Sequence, residues 1–600
     1  MTKNKEILER KDVLKEDTWD LESLFENFQA WEKSYDKVVK LASEFVSYQN
    51  KTTSSGGVLY KVLVDKDDLF RQVQNLYSYA SMNLDQDTRD GKSQALSDKA
   101  LGLFVEVQEK TSFLTPEILS LDSSKLETFY KEEPKLELYK QFIDNIIRQK
   151  DHVLSSREES ILAQMGEVAD APQKVFSMLN NADLKFPTIK DETGKDVEIT
   201  HGNFIPLMES ENRDVRKAAF KGLYSTYEGY KNTFAATLNG DLKKNIFNAN
   251  IRNYKSSRQA SLDQNNILTS VYDNLINSIH NNLDSMYKYM EIRKRALGVE
   301  ELHMYDLYTP IVKDVGFKIP YNEGVELIKE GLEPLGEEYM KVVEEGFNSR
   351  WIDKYENRGK RSGAYSGGSY DSKPFILLNY HDTLDNVFTT AHEMGHSIHS
   401  YFSRKTQPFV YARYGIFVAE VASTANESLL MDHMLKNVKD KNERLYLLNH
   451  YLESFRTTVF RQTMFAEFEK IINEQLESGG ALTADYLCEE YKKINELYYG
   501  PNVVIDDEIA MEWARIPHFY YNYYVFQYAT GYSAAVALSE QILKEGKPAV
   551  DRYIDFLKSG SADYPLEVLK KAGVDMTTEE PVNNAMALFA RLVDEMDKLI

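Results

Sequence analysis

The chain has 600 residues, of which 42% are hydrophobic and 28% are charged, the balance of an ordinary globular protein. Its net charge of −22 disfavours nucleic acid and anionic membranes as partners. The one cysteine excludes an intrachain disulfide framework, and the sequence contains no run of about twenty apolar residues that would predict a membrane span. Because residues 1–6 contain no apolar leader segment either, we expect a soluble, cytoplasmic protein.

Helical periodicity dominates the first part of the chain. Apolar residues three or four apart across residues 24–39 predict one helix face that is buried. Further along, Ser155 and Glu158 have the capping-box spacing that is typical of a helix start. We therefore predict a helical N-terminal region, residues 1–185, that has no site chemistry of its own, followed by a second region, residues 186–600, that contains the candidate site residues.

The middle of the chain mixes helices with short extended segments. Two short apolar runs around a polar stretch predict a β-hairpin near residues 187–200. Helical patterns return over residues 214–297 and 322–347. The glycine-rich segment 363–370 is then interpreted as a mobile lid or substrate loop, with a plain connector as the alternative. The aromatic and β-branched run at 374–380 predicts a strand just before the next helix.

The segment from His392 to His396 has the pattern H-E-x-x-H. Residues four apart lie on one face of a helix, so both imidazoles can bind one ion. Glu393 lies roughly 100° round the helix, where its carboxylate can reach a water molecule held by that ion. The pattern therefore predicts two zinc ligands and a general base. A helix with two hydrogen-bonded histidines on a polar face is the alternative.

A third ligand is needed, because catalytic zinc takes three protein ligands and keeps one position for water. The pattern of residues 415–430 predicts a second helix, on which Glu420 and Glu427 are two turns apart and point nearly the same way. We assign Glu420 to the metal and Glu427 to a supporting position that orients a histidine. One zinc ion is expected, although cobalt or manganese would accept the same ligands.

Aromatic residues are concentrated in residues 516–532. A proline start signal predicts a helix with His518 in its first turn, and Tyr524, Tyr528 and Tyr532 follow at i, i+4 spacing on one face. A packed aromatic stripe is the simpler interpretation. However, tyrosine hydroxyls and an imidazole are also the donors that a peptidase needs to stabilise an oxyanion.

Taken together, the motif from His392 to His396, the stretch Phe417–Glu420 and Glu427 resemble the M3 family of zinc metallopeptidases, and within it the oligoendopeptidase F branch. Similar stretches lie at residues 18–21, 303–308 and 572–575, among others, so the resemblance covers nearly the whole chain. It implies a mainly α fold: a multi-helix, zincin-like body with a small β-sheet beside the active-site helix and a deep substrate channel.

The resemblance also implies an activity, namely the cleavage of internal bonds in short unstructured peptides. In such peptidases an edge strand pairs with the extended substrate, and the strand predicted at 374–380 is the candidate for that role. A histidine and several tyrosines of a C-terminal helix face the zinc in this family, ahead of a Gly-Tyr pair.

The Gly-Tyr pair is matched here by residues 531–532. The resemblance therefore implies His518, Tyr528 and Tyr532 as the donor set. The longer spacing leaves open which of Tyr523, Tyr524 and Tyr528 is the equivalent of the other family tyrosine.

Two other functions stay open at this point. A helical metallocarboxypeptidase is hard to exclude by pattern, whereas an M1 aminopeptidase would need a G-x-M-E-N stretch that the sequence lacks. A protein that binds metal without turnover is disfavoured by the intact Glu393. Short peptides are the expected partners, and the sequence does not predict the oligomeric state.

Overall fold

Helices make up most of the structure, a computed structural model that describes residues 7–312 and 316–600. The expectation about a leader segment falls on residues 1–6, outside the described part. The α-helices of the described residues are, in chain order, α1 Phe28–Phe45, α2 Gly56–Gln86, α3 Gly91–Thr111, α4 Leu114–Leu119, α5 Ser123–Glu132, α6 Lys140–Arg148, α7 Ser156–Ala169, α8 Ala171–Met178, α9 Phe204–Met208, α10 Arg213–Glu228, α11 Lys231–Ile251, α12 Ser257–Asp263, α13 Thr269–His280, α14 Leu283–Leu297, α15 Tyr321–Leu332, α16 Gly336–Asn348, α17 Leu384–Thr406, α18 Ile416–Asn437, α19 Lys441–Phe455, α20 Arg461–Glu477, α21 Ala484–Tyr499, α22 Phe526–Glu545, α23 Lys547–Lys558, α24 Pro565–Lys571 and α25 Glu580–Leu599. This confirms the mainly α fold class. None of these helices combines the length and apolarity that a membrane crossing needs.

The strands are short and form small separate sheets. In chain order they are β1 Thr188–Lys190, β2 Asp196–Glu198, β3 Leu302–His303, β4 Ile352–Asp353, β5 Tyr365–Gly367, β6 Phe375–Leu377 and β7 Val503–Val504. The antiparallel pair of β1 and β2 confirms the predicted hairpin, with Ile189 opposite Val197. β3 and β7 form a parallel pair.

Two compact units, each built from three separate segments of the chain, make up the fold. The first unit contains Met1–Val153, Phe317–His433 and Leu538–Gly573. The second unit contains Leu154–Gly316, Met434–Ala537 and Val574–Ile600. The boundary between residues 185 and 186, which separates the predicted N-terminal region from the predicted catalytic region, stays a prediction.

The core of the first unit brings the N-terminal helices against the small sheet. Trp31 and Leu76 are fully buried among these helices, and Phe375 and Leu377 of β6 belong to the same hydrophobic cluster. The ring of Trp19 meets that of Phe375 edge-on, with centroids 6.2 Å apart. Burial of these apolar side chains is the main term that holds β6 in place.

β6 is the central strand of its sheet. The order is β4-β6-β5, with β6 parallel to β4 and antiparallel to β5. The prediction that residues 374–380 form an edge strand is therefore wrong, although the strand itself is confirmed. The two edge strands are β4 and β5, and β5 lies inside the glycine-rich segment that the sequence suggested was a mobile loop.

The second unit has a core rich in aromatic side chains. Tyr227, Tyr272, Tyr289 and Tyr491 are fully buried there. At its first helix, the Ser155 side chain accepts a hydrogen bond from the Glu158 backbone and the Glu158 side chain accepts one from the Ser155 backbone, which confirms the predicted capping box.

Candidate active site

The helix that carries the H-E-x-x-H motif is α17, and it starts at a side-chain cap. Thr383 accepts a hydrogen bond from the backbone of Asn386, and the Asn386 side chain accepts one from the backbone of His381. These bonds satisfy backbone donors at the start of the helix and set its first residue. His392 and His396 lie in the middle of the helix, where the backbone is most rigid.

Close approach of α17 and α18 is allowed by Gly395, inside the motif. A Cβ atom at this position would lie 2.6 Å from the Ala422 carbonyl oxygen. One turn further along α18, the Asn426 side chain donates to the Ala391 carbonyl at 3.0 Å and accepts from the Tyr339 hydroxyl at 2.7 Å. Both features hold the two helices in one register, so that side chains from each can meet.

Three of the predicted site residues converge between these helices. The Nε2 atoms of His392 and His396 are 3.1 Å apart, and the Oε2 atom of Glu420 lies 3.2 Å from the first and 3.4 Å from the second. Each of the three side chains is partly exposed, so an ion can reach them. Oε2 of Glu420 also accepts a hydrogen bond from the Ser423 hydroxyl at 3.2 Å.

These separations fit a zinc ion. Zinc with nitrogen and oxygen ligands at about 2.0–2.2 Å in a tetrahedral arrangement spaces its ligand atoms about 3.3–3.6 Å apart. Two imidazole nitrogens and one carboxylate oxygen are also the donor set that catalytic zinc sites use. The residues present therefore fit the metal that the sequence pattern predicts.

Glu427 contacts the outer nitrogen of the first histidine. Its Oε1 atom lies 2.6 Å from Nδ1 of His392, which leaves Nε2 of that ring directed at the cluster. Burial acts against the charged form of His392, but hydrogen bonding to Glu420 and Glu427 raises its pKa well above the usual value. An ion bound at Nε2 must displace this proton, so metal binding should weaken in acid.

Glu393 lies on the side of α17 next to the ligand pair and is buried, with 8% of its surface exposed. Burial raises the pKa of its carboxyl, while positive charge at His392 and His396 acts in the opposite direction. A dication held by the two histidines would act in the same direction as that positive charge and favour the ionised form.

The aromatic segment predicted to contribute donors belongs to the second unit and is less regular than expected. A short 3₁₀ turn covers Pro517–Tyr520, and α22 begins only at Phe526. The prediction that Tyr524 shares a helix face with the later tyrosines is therefore wrong, because the chain turns sharply just before it.

Two of the predicted donors, Tyr528 and His518, are neighbours within this segment. The third, Tyr532, has a different partner. The hydroxyl of Tyr528 lies 3.5 Å from Nε2 of His518. The hydroxyl of Tyr532, one turn further along α22, instead lies 2.7 Å from the Ser454 hydroxyl. Burial lowers the pKa of His518, with Arg461 acting in the same direction, so this imidazole is neutral at neutral pH.

The sharp turn before α22 is held by a buried carboxyl. Asn522 and Tyr523 both have positive φ, 45° and 57°, a conformation that costs free energy for residues with a side chain. The backbone nitrogen of Tyr523 donates to Oε1 of Glu469 at 2.6 Å, whereas Oε2 of the same carboxyl is buried without a partner. Glu469 thus stabilises the strained turn that leads into the helix of Tyr528 and Tyr532.

Stability should depend on pH through Glu469. Burial raises the pKa of this carboxyl from about 4.5 to about 8. A carboxyl whose pKa is higher in the folded protein than in the unfolded chain stabilises the fold fully below its unfolded-state pKa. This stabilisation is lost as the pH rises towards the folded-state pKa. Wild-type unfolding free energy should therefore fall between about pH 4.5 and pH 8, by up to about 1.4 kcal/mol per pH unit.

Urea unfolding at a series of pH values checks this expectation with Glu469→Gln, which should flatten the dependence over that window. Glu474→Gln is the matched control, since it removes an exposed carboxyl from the same helix. If Glu469→Gln and Glu474→Gln leave the same pH dependence, Glu469 does not carry it.

Sequence reasoning missed Gly395 and Asn426 beside the metal cluster of the first unit, and Glu469 at the turn before α22 in the second unit. A glycine inside a helical pattern is a signal for close packing, so Gly395 could have been found. Nothing in the spacing of Asn426 or Glu469 indicates their partners, because these lie far away in the sequence.

Two family models match this chain. The model of peptidase family M3 matches residues 206–588, and that of oligopeptidase F matches residues 117–186. The chain is 51% identical to oligopeptidase PepF of Bacillus subtilis, over 100% of this chain and 89% of that protein. It is 44% identical to the plasmid oligoendopeptidase F of Lactococcus lactis subsp. cremoris, over 98% of each.

Solved structures give the same result. The crystal structure of oligoendopeptidase F from Enterococcus faecium matches with a TM-score of 0.75 and 43% identity, over 95% of this chain and 99% of that one. A crystal structure from Chlamydophila abortus matches with a TM-score of 0.92 and 38% identity, over 99% and 100%. The chain therefore belongs to peptidase family M3, in its oligoendopeptidase F branch, and is a metalloendopeptidase.

Proposed function

We propose that this protein is a zinc-dependent oligoendopeptidase that hydrolyses internal bonds of short, unstructured peptides. The observation that carries the proposal is the convergence of Nε2 of His392, Nε2 of His396 and Oε2 of Glu420 within 3.4 Å of one another. These three side chains would hold one zinc ion, and Glu427 would fix the ring of His392 through Nδ1.

Glu393 is the proposed general base. Zinc, when bound, supplies Lewis acidity and makes the attacking water more acidic. The carboxylate of Glu393 takes a proton from that water as it attacks the scissile carbonyl, then gives the proton to the leaving amine. Burial of Glu393 keeps bulk water from competing for the proton, and a dication held by the two histidines would favour the ionised form of the base.

Tyr532, with Tyr528 and His518, is the proposed set of donors to the negative charge that develops on the carbonyl oxygen. The 3.5 Å contact of Tyr528 with His518 supports treating these two as a pair. Neutral His518 can donate one hydrogen bond and accept another, which suits a role in orienting the Tyr528 hydroxyl.

Removal of the Tyr532 hydroxyl tests the donor assignment. Tyr532→Phe should lower kcat by about 10²–10³-fold, since one lost oxyanion donor costs about 3–4 kcal/mol. Zinc content, measured by atomic absorption, should stay the same. Tyr521→Phe, at an exposed neighbouring tyrosine, is the control and should keep full activity. An unchanged rate in Tyr532→Phe would remove this residue from the scheme.

Substrate binding is proposed at the edge strand β5. Among the described residues this strand pairs on one side only, with β6, and the hydroxyl of Ser366 on β5 lies 2.8 Å from that of Ser397 on α17. An extended peptide added to that edge would run beside the metal ligands. The selection of short peptides is proposed to come from a deep channel like that of the family. The cytoplasmic location expected from the single cysteine also stays a prediction.

The experiment that tests the function is mass spectrometry of products from a random peptide pool, with and without a chelator. We expect internal cuts in peptides of modest length and none once the metal is removed. Removal of single residues from a chain end would favour the exopeptidase alternative. Stoichiometric zinc without any hydrolysis would favour a metal-binding protein without turnover.

A further inference from the structure

A serine of the second unit, Ser454, contacts the hydroxyl of Tyr532. The two hydroxyl oxygens are 2.7 Å apart. The Ser454 hydroxyl also donates to the backbone carbonyl of Tyr451 at 2.8 Å, three residues earlier in α19. Tyr532 is buried, with 7% of its surface exposed, and its ring meets that of Phe455 edge-on, with centroids 4.8 Å apart. The phenol is therefore held both at its ring and at its oxygen atom.

The direction of these two hydrogen bonds follows from a count of protons. A serine hydroxyl has one proton to donate, and a carbonyl oxygen can only accept. The proton of Ser454 is thus directed at the Tyr451 carbonyl, and the 2.7 Å contact uses the proton of Tyr532. While the Tyr532 hydroxyl donates to Ser454 in this way, it has no second proton for the oxygen of a substrate.

A rotation of two hydroxyl protons is enough to redirect Tyr532. If the Ser454 proton turns from the Tyr451 carbonyl to the phenol oxygen, the proton of Tyr532 can point at a substrate. The two oxygen atoms keep their positions and exchange the roles of donor and acceptor.

The two states differ in the strength of the bond that Ser454 donates. A hydrogen bond from serine back to its own helix, as to Tyr451, adds little stability to that helix. The phenol oxygen of Tyr532 would gain negative character while it donates to an oxyanion, and hydrogen bonds to charged groups are roughly twice as strong as neutral ones. The exchange is therefore favoured when the oxyanion forms.

The chain on both sides of Ser454 is held in place. The carboxylate of Glu453 accepts hydrogen bonds from Arg293 at 2.9 Å and from Arg456 at 2.6 Å. A π-helical turn, Arg456–Phe460, follows directly, and such turns are rare and recur at functional sites. The ionic hydrogen bonds and the turn fix the backbone around Ser454, so its hydroxyl is kept beside the phenol.

We propose that Ser454 is a positioning residue for catalysis that acts through Tyr532. It accepts the phenolic proton in the resting protein and donates to the phenol oxygen while Tyr532 stabilises the oxyanion. Each hydroxyl keeps its own proton throughout, and no bond between heavy atoms is made or broken. The proposal rests on the proposed function, because it deepens the role given there to Tyr532.

Steady-state hydrolysis of an internally quenched peptide by the full-length protein, supplied with zinc, tests this role. Ser454→Ala should lower kcat about tenfold and leave KM nearly unchanged, because the lost hydrogen bond strengthens only in the transition state. Ser454→Thr keeps a hydroxyl on the same carbon and should restore most of the rate. In a protein that already contains Tyr532→Phe, Ser454→Ala should have no further effect on kcat, a result that a general structural defect would not give.

Ser533→Ala is the matched control. Ser533 follows Tyr532 in α22, and its hydroxyl donates to the backbone carbonyl of Ala529 at 2.8 Å. This variant therefore removes a serine hydroxyl that bonds to its own helix, next to the same tyrosine. It should keep the wild-type kcat.

Urea unfolding tests the hydrogen bond itself, without any measurement of activity. The midpoints of Ser454→Ala, Tyr532→Phe and the double variant form a thermodynamic cycle with the wild type. We expect the midpoint shift of the double variant to be smaller than the sum of the two single shifts, because both substitutions remove the same bond. Additive shifts would show that the two hydroxyls do not interact, and would overturn the proposal.

The kinetic outcomes separate this proposal from the proposed function. If the wild-type protein hydrolyses the peptide and Ser454→Ala has an unchanged or higher kcat, the positioning role is wrong and the proposed function stands. An equal loss of rate with and without Tyr532→Phe would also overturn the positioning role. If the wild-type protein hydrolyses nothing, the proposed function is rejected and the positioning role with it, whatever the unfolding cycle shows about the bond.

Discussion

Replacement of Glu393 by glutamine should lower kcat by about 10²–10⁴-fold, the usual contribution of a general base, and leave zinc bound. The amide has nearly the shape of the carboxylate but cannot take the proton of the attacking water. It also removes a negative charge that burial already disfavours, so the folded state should not be weakened. The measurement is steady-state hydrolysis of an internally quenched peptide, together with zinc content.

The control for this variant is Asp385→Asn, which removes an exposed acid from the first turn of the same helix. It should be fully active. Near wild-type activity of Glu393→Gln would show that the base has been assigned to the wrong residue. Loss of zinc together with activity would instead mean that Glu393 helps to hold the metal.

Replacement of Glu420 by glutamine should nearly abolish zinc binding, because Glu420 is the negatively charged ligand among the three. The neutral amide oxygen is a weak zinc ligand, and the two imidazoles alone leave the ion with too few ligands. Activity should be lost in proportion to the metal. The measurement is competition for zinc against a calibrated chelator.

Glu427→Gln is the matched comparison for Glu420→Gln. It removes a carboxylate from the same helix, but one that contacts the outer nitrogen of His392 instead of the cluster. Loss of such a supporting partner costs about 10–100-fold in metal affinity, so Glu427→Gln should bind zinc more tightly than Glu420→Gln. If Glu420→Gln instead binds zinc more tightly than Glu427→Gln, then Glu427 is the metal ligand and Glu420 is the supporting residue.

Much of the metal cluster could be predicted from the sequence because it depends on local geometry. The four-residue spacing of His392 and His396 places both rings on one helix face whatever surrounds the helix. The two-turn spacing of Glu420 and Glu427 likewise follows from the helix, and it suggested that one would meet the metal and the other would support it. The mainly α fold follows from the same periodicity.

The choice between the two glutamates is different, since it depends on how two helices pack. Only the absence of a side chain at Gly395, together with the bonds of Asn426, decides how closely α18 lies on α17. In that register Glu420 reaches both imidazoles and Glu427 reaches the far side of one. The sequence pattern alone allowed either.

What the sequence by itself determined about this protein is the set of side chains that two helices present: two imidazoles and the adjacent carboxylate on the first, and the later acids on the second. Tertiary structure decided that the predicted strand is central and not an edge, because β6 lies between β4 and β5 and packs against distant N-terminal helices. It also decided that the turn at Tyr523 is held by Glu469. Such facts depend on residues brought together from distant parts of the chain, which periodicity does not encode.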